Sequence, residues 1–413
     1  DTQMMSIGPT MAALTLFQIL TMLQLWLALG TDHLQSIFVS FGGLMLLMWS
    51  YVAIVRASGR AGFEMEAIAF FLSTLNLAVV ASSAPDKLYK QFLAVAIGVA
   101  VLLLMCVLLR NLESCKRLRW LLLGGAALLL VANLALGTFG YGAKNWLAIG
   151  PVSFQPSELV KVAFIWIGAA SLDELFEKKN LWIFMGFAAF CFGCLGLMGD
   201  FGTAAIFFVT FLVIAFLRSG EFSKLLLMVG AAAAGGFMIL RFKPYVAKRF
   251  ATWGHIWDAG MADAAGYQQT RTLSASASGG LAGVGAGKGW LVDLPAADTD
   301  MVFGVLIEEW GLIIAALAVL SIVTLSVFAV RSIMEGRSTY YTIAACGAMS
   351  MFVFQTILNV FGCTDLLPFT GVTFPFVSNG GTSMIVSWAL LAFLKSADTR
   401  QRASLAVKGG ART

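Results

Sequence analysis

Long apolar stretches separated by short polar or glycine-rich connections run through the whole chain. A bilayer core of about 30 Å calls for about 20 residues of helix. A window of that length marks twelve segments, near 8–29, 36–55, 62–82, 88–109, 118–137, 157–172, 181–198, 203–217, 224–240, 303–329, 340–362 and 380–396. The sixth and eighth are short. The pattern predicts an all-α, polytopic integral membrane protein of about twelve spans, with a long loop, about 241–302, before the tenth. That loop has no strong secondary-structure signal, yet it carries Trp253, Trp257, Tyr267 and Trp290, which disordered linkers seldom do.

Composition agrees. Of 413 residues, 59% are hydrophobic and 12% charged, against about 25% charged in soluble domains. A chain with 33 phenylalanines and only 8 prolines is not a disordered one either. The net charge of +5 does not mark a nucleic-acid binder, because the basic residues sit in short clusters between apolar runs, as membrane topology requires. An even number of spans puts both termini on one side. If that side is the cytoplasm, inner segments hold 17 of the 27 basic residues and short outer segments only Lys87, Lys90, Lys144 and Lys161. Long translocated loops escape the rule, so both termini are expected in the cytoplasm and the loop near 241–302 outside. The first span is reached without a basic region or small-residue cleavage site, so no signal peptide is expected. Six scattered cysteines make no disulfide framework, and Cys191 and Cys194, inside FCFGCLGLM, read as packing residues rather than a metal or redox pair. His33 and His255 alone build no zinc or haem site.

Polar residues concentrate in four places. In GYGAKNWLAIGPVSFQPSELVK, residues 140–161, Trp146 beside Lys144 and Asn145 suits an interfacial anchor, and Pro156-Ser157-Glu158 suits a helix start. Lys161 lies three residues beyond Glu158 on the same helical face, heading into an apolar stretch; a structural pair and a substrate-binding pair fit equally well. In MGDFGTAA, Asp200 reads first as a helix cap. Residues 266–311 hold Arg271, six glycines from Gly279 to Gly289, Lys288, then Asp293, Asp298 and Asp300 just before a span. No P-loop pattern is present, since Gly follows Lys288; the glycines suit a close backbone approach to some ligand. Asp298, Thr299 or Asp300 suits the cap of the next helix, while the three acids Asp293, Asp298 and Asp300, beside Arg271 and Lys288, also suit a general base or a cation site. Glu308 and Glu309, two turns further, predict that at least one faces the interior. Finally LLPFTGVTFPFVSNGGTS, residues 366–383, breaks regular helix and reads as a loop packed on protein.

These four clusters, in this order, resemble the SEDS family (RodA/FtsW/SpoVE) of bacterial cell-wall synthesis. GAKNWLAIGPVSFQPSELVK resembles G-A-x-R-W-I…F-Q-P-S-E-x-x-K, and GDFGTA resembles D-L-G-T-A. LPAADTDMVFGVLIEEWG resembles L-P-E-x-H-T-D-F-I-F-A-x-x-x-E-E-x-G, and TGVTFPFVSNGGTS resembles T-G-x-P-L-P-F-x-S-x-G-G-S-S. The resemblance runs from about 62 to 396 and implies a ten-helix core over 61–397. Residues 1–60 then form a two-span N-terminal extension and 398–413 a basic cytoplasmic tail. It implies a peptidoglycan glycosyltransferase that polymerises lipid II at the outer face of the cytoplasmic membrane, with a class B penicillin-binding protein as partner. Asp300 stands at the family's catalytic aspartate, and Trp146, Gln155, Glu158 and Lys161 at signature positions lining an outer cavity. Four positions depart from the pattern: Asp298 replaces His, Asn145 replaces Arg, Arg271 a common Gln, and Asn379 replaces Tyr.

The chemistry fits. A sugar hydroxyl attacking an anomeric carbon must lose its proton to a carboxylate, here Asp300, and attack opposite the leaving group inverts the centre. The departing lipid diphosphate needs cations, for which Arg271, Lys288, Lys243, Arg249 or a divalent magnesium or manganese ion are candidates. Lys144 and Ser378 complete the expected substrate contacts. No other cofactor and no nucleic acid are expected. The alternatives are a flippase for the lipid precursor, which fits less well because the inner loops are short, and a non-catalytic scaffold.

Overall fold

A computed structural model describes residues 7–140, 142–173, 178–334, 337–400 and 404–407. Its helices in chain order are α1 (Ile7–Leu29), α2 (Leu34–Ala57), α3 (Glu64–Ser83), α4 (Leu88–Leu108), α5 (Leu112–Leu136), α6 (Pro156–Leu172), α7 (Lys178–Met198), α8 (Phe201–Ser219), α9 (Phe222–Phe242), α10 (Pro244–Thr252), α11 (Tyr267–Gly279), α12 (Val302–Met334), α13 (Thr339–Cys363) and α14 (Gly381–Ala397). Each of the twelve apolar segments falls on one of them. Ten helices among the described residues are long and apolar enough to cross a membrane, while α6 and α14, at 17 residues each, are shorter. The protein is an all-α polytopic membrane protein. Arg402, Lys408 and Arg412, counted above on the inner side, lie outside the described residues.

Two local expectations are corrected. The long connection is not free of regular structure: it contains α10 and α11. α10 opens on Pro244, whose missing N–H costs nothing at a helix start. The connection near 138–156 carries a small antiparallel sheet, β1 (Thr138–Gly140), β2 (Ala143–Ile149) and β3 (Val152–Phe154). Ile149 pairs with Val152, so Gly150-Pro151 is a two-residue hairpin turn. Gly150 at its first position has φ 62°, the left-handed geometry such turns need from glycine.

The chain divides into two compact units. One comprises 1–112, 272–337 and 373–413, hence α1 to α4, α12 and α14; the other comprises 113–271 and 338–372, hence α5 to α10, the sheet and α13.

In the first unit α14 lies along α4 so closely that a Cβ on Gly98 would sit 2.7 Å from the Trp388 ring. Trp388 meets Phe70 and Phe376 edge-on. The first two helices are tied to α3 by buried polar contacts. Gln18 Nε2 donates to Thr74 Oγ1 at 3.1 Å, and Tyr51 donates to Glu66 at 2.7 Å. Glu66 also pairs with Lys395 at 3.1 Å. Beyond α14, Arg400 pairs with Asp398 and Glu64, and the Asp398 hydrogen bond chiefly holds its guanidinium above the ordinary arginine range. Arg110, Arg337 and Arg60 donate to the carbonyls of Leu405, Ala406 and Val407.

In the second unit α13 packs on α6 and α8. Phe164 meets Phe184 and Phe207 at ring-centroid distances of 5.4 and 5.0 Å. Asp173, just past α6, pairs with Lys116 at 3.1 Å and accepts from the Tyr340 N–H at 2.9 Å.

Candidate active site

The sequence-derived candidates fall into separate clusters, one set in each unit. In the first unit the turn 294–301 carries Asp300. Ala296 adopts a left-handed backbone with φ 62°, which costs an L residue about 1–2 kcal/mol. Its carbonyl accepts from the N–H groups of Thr299 at 3.3 Å and Asp300 at 3.0 Å, and from Thr299 Oγ1 at 3.0 Å. Strain of this kind clusters at functional sites because the surroundings hold it. The holding segment is the loop before α14. Asn379 donates its main-chain N–H to the Asp298 carbonyl at 2.8 Å and its side-chain amide to Asp298 Oδ2 at 2.7 Å. Ser83 donates to the same oxygen at 2.8 Å. Ser378 Oγ donates to the Thr299 carbonyl at 2.7 Å and accepts from the Phe374 N–H at 2.7 Å. The Asp300 side chain is half-buried.

Several expectations change here. The side chains of Asp298 and Thr299 do not cap α12: the first is committed to Asn379 and Ser83, the second to Ala296. The Ser378 hydroxyl, expected on substrate, braces the Asp300 turn. Ser83 and Asn76 were not singled out. Asn76 is fully buried in α3 and donates to the carbonyls of Val377 and Ser378, both at 2.9 Å. An asparagine inside the apolar run LNLAVV of α3 was the signal for it.

The glycines of 279–289, expected to let the backbone approach a ligand, instead bring it close to α12. That helix breaks at Gly311, φ 82° and ψ 164°. Val284 and Gly285 N–H groups donate to the carbonyls of Glu308 and Glu309 at 2.8 and 3.1 Å, and Leu312 N–H donates to the Gly280 carbonyl at 2.9 Å. A broken helix survives at membrane depth when protein satisfies its freed groups. A Cβ on Gly283 would lie 2.3 Å from the Glu309 carbonyl oxygen. Both glutamates are buried, as at least one was expected to be. Glu308 accepts from the N–H groups of Trp290 and Leu291 at 3.0 Å each, and Glu309 accepts from Ser82 at 2.8 Å. Lys288, on this loop, is exposed.

In the second unit Asp200 caps α8, accepting from the Thr203 N–H at 3.2 Å. Its other oxygen accepts from Asn145 at 3.1 Å and Gln155 at 3.3 Å, so the sheet and the start of α6 converge on one carboxylate. Glu158 and Lys161 form a buried pair at 2.8 Å, and Lys161 also donates to Gln355 of α13 at 3.1 Å. Gln355 was missed, because its partner lies 194 residues away. Lys144 Nζ donates to the Leu134 carbonyl at 2.7 Å and to that of Ala135 at 3.4 Å, a favourable place for a cation at a helix C-terminus. Trp146 stands exposed on β2. Arg271 pairs with exposed Asp263 at 2.8 Å and stacks over Tyr267 at 4.8 Å. Burial lifts the Tyr245 hydroxyl above the ordinary phenol range; nearby Arg249 opposes the shift and Asp200 adds to it. Among the described residues no group of three or more His, Cys, Asp or Glu stands ready to hold a metal ion.

Comparison with known proteins adds the following. The family model FTSW_RODA_SPOVE, described as a cell cycle protein, matches residues 67–403. A probable peptidoglycan glycosyltransferase FtsW of Tolumonas auensis is 32% identical over 367 residues, covering 81% of this chain and 91% of its own. A second, from Moranella endobia, is 28% identical over 366 residues, covering 86% and 95%. Among solved structures, a chain from a peptidoglycan synthase complex, studied for the coordination of polymerization and crosslinking, superposes with a TM-score of 0.67 at 24% identity, covering 82% of this chain and 98% of that one.

Proposed function

This chain belongs to the FtsW/RodA/SpoVE family and is a peptidoglycan glycosyltransferase, and on that premise we propose that it polymerises lipid II with Asp300 as general base. The observation that carries the proposal is the turn 294–301, a left-handed, externally braced segment that carries the half-buried Asp300 ahead of α12. The acceptor sugar's hydroxyl gives its proton to Asp300 as its oxygen attacks the anomeric carbon of the donor. The bond to the lipid diphosphate breaks on the opposite side, so the configuration inverts.

The distribution of basic residues supports a chain with both termini in the cytoplasm and this chemistry at the outer face of the bacterial membrane. There the two lipid-linked substrates lie in one leaflet. Residues 61–397 are the catalytic core in this reading, 1–60 an N-terminal addition and 398–413 a cytoplasmic tail. The departing diphosphate needs positive counter-charge, for which Lys288, Arg271 and a magnesium or manganese ion are the candidates. The steps above are those of the chain's own residues, and among the described residues no group of three or more His, Cys, Asp or Glu offers such an ion a ready-made cage. A class B penicillin-binding protein, which cross-links the strands, is the partner that fits a polymerase.

The test is purified full-length protein with that partner and lipid II, products resolved by size. Glycan strands are expected. Transfer of lipid II across vesicle membranes without polymer would overturn the reading in favour of a flippase.

A further inference from the structure

Asn379 grips Asp298 by both main chain and side chain. Its backbone N–H donates to the Asp298 carbonyl at 2.8 Å and its amide to Asp298 Oδ2 at 2.7 Å. Ser83 makes the second bond to that oxygen at 2.8 Å, and Ser378 holds the next carbonyl, that of Thr299, at 2.7 Å. Thus both residues immediately before Asp300 are pinned, and the left-handed Ala296 closes the turn from the other end. The pinning segment is itself anchored. Asn76 holds the carbonyls of Val377 and Ser378 at 2.9 Å, and Gln91 exchanges hydrogen bonds with both backbone groups of Gly380 at 3.4 Å.

The chemistry of the grip is specific. Asp298 already receives Ser83, and its carboxylate asks a facing side chain for a donor. Asparagine supplies one without adding charge. A carboxylate at 379 would set two anions within hydrogen-bond distance, which repel. An apolar side chain would leave Asp298 one donor short. Asp298 and Asn379 are also two of the four positions at which the sequence departs from the motif pattern; the two departures are bonded to one another.

We infer that Asn379 is a positioning residue that acts through Asp298 to fix the direction of the Asp300 carboxylate. The inference rests on Asp300 being the base. The carboxylate must meet the sugar hydroxyl at hydrogen-bond distance, and a misplacement of about 1 Å costs on the order of 100-fold in rate. Substrate binding does not need the latch, so kcat should fall with KM held.

The test uses full-length protein with its transpeptidase partner, lipid II as substrate, and melting in detergent measured for every variant. Asn379→Asp should lower kcat by about 100-fold with KM for lipid II within about twofold. Asn379→Ala, which keeps the backbone bond but leaves Asp298 one donor short, should lower it by about tenfold with at most a small loss of melting temperature. The exchanged pair Asp298→Asn with Asn379→Asp restores one donor facing one carboxylate and should recover kcat to within about fivefold of wild type. Wild-type kcat in both single variants would overturn the inference. So would an exchanged pair that melts like wild type yet stays as slow as Asn379→Asp. Asp300→Asn, run alongside, separates the two claims. If it is inactive while Asn379→Asp turns over normally, only the latch falls; if it keeps wild-type kcat, the base assignment falls and the latch with it.

Discussion

Replacing Lys161 by methionine removes a buried ammonium and leaves its partners behind. Lys161 is 1% exposed and Glu158 5%. The ammonium lies 2.8 Å from the Glu158 carboxylate and 3.1 Å from Gln355 Oε1. Breaking a buried pair by deleting one partner costs about 3–5 kcal/mol, because the surviving charge has neither water nor counter-charge. At about 1.4 kcal/mol per tenfold, that is roughly two to three and a half orders of magnitude in the folding equilibrium. Removing both charges with side chains of similar length, Glu158→Met with Lys161→Met, takes away the stranded carboxylate and should recover most of the loss. The assay is the fraction of monodisperse protein surviving a heating series in detergent, followed by glycan synthesis per folded molecule. Lys161→Met should be far less stable than wild type and the double variant close to it. Activity of the folded double variant then reads what the pair contributes beyond stability. A Lys161→Met protein that melts like wild type would refute the view that this buried pair, with the Lys161 bond to Gln355 of α13, stabilises the fold.

Gly283→Ala should cause loss of folded protein in the same heating series, since its Cβ would meet the Glu309 carbonyl oxygen at 2.3 Å and its φ is +83°. Gly124→Ala, on an open face of α5, should be neutral or stabilising by up to about 1 kcal/mol. Asp200→Ala should lower the melting temperature through loss of the α8 cap, about 1–2 kcal/mol, and of an acceptor for Asn145 and Gln155. Asp200→Asn keeps a cap oxygen and should lose less.

The spans were legible because bilayer thickness writes itself into the length of apolar runs, and every one of the twelve segments is a helix. The break in α12 was not legible. Gly311 stands in EEWGLI, and nothing local says that a loop starting 32 residues earlier, at Gly279, supplies the missing backbone partners. The sheet was missed although Gly150-Pro151 between WLAI and VSF spells a hairpin, because membrane-belt tryptophans offered a simpler account of Trp146. Asp300 was singled out through its motif, but the bonds that brace its turn could not be read from the sequence. Ser83 and Asn76 belong to a span more than 200 residues away, and Ser378 read as a substrate contact when its hydroxyl faces the main chain of Thr299.

The most direct measurement of the central claim is the rate of glycan synthesis from lipid II by Asp300→Asn beside wild type, both with the transpeptidase partner and both shown to melt alike. A positioned general base contributes about 10²–10⁴-fold, so the variant should fall by at least about 100-fold at unchanged stability. Equal product from the two proteins would contradict the account.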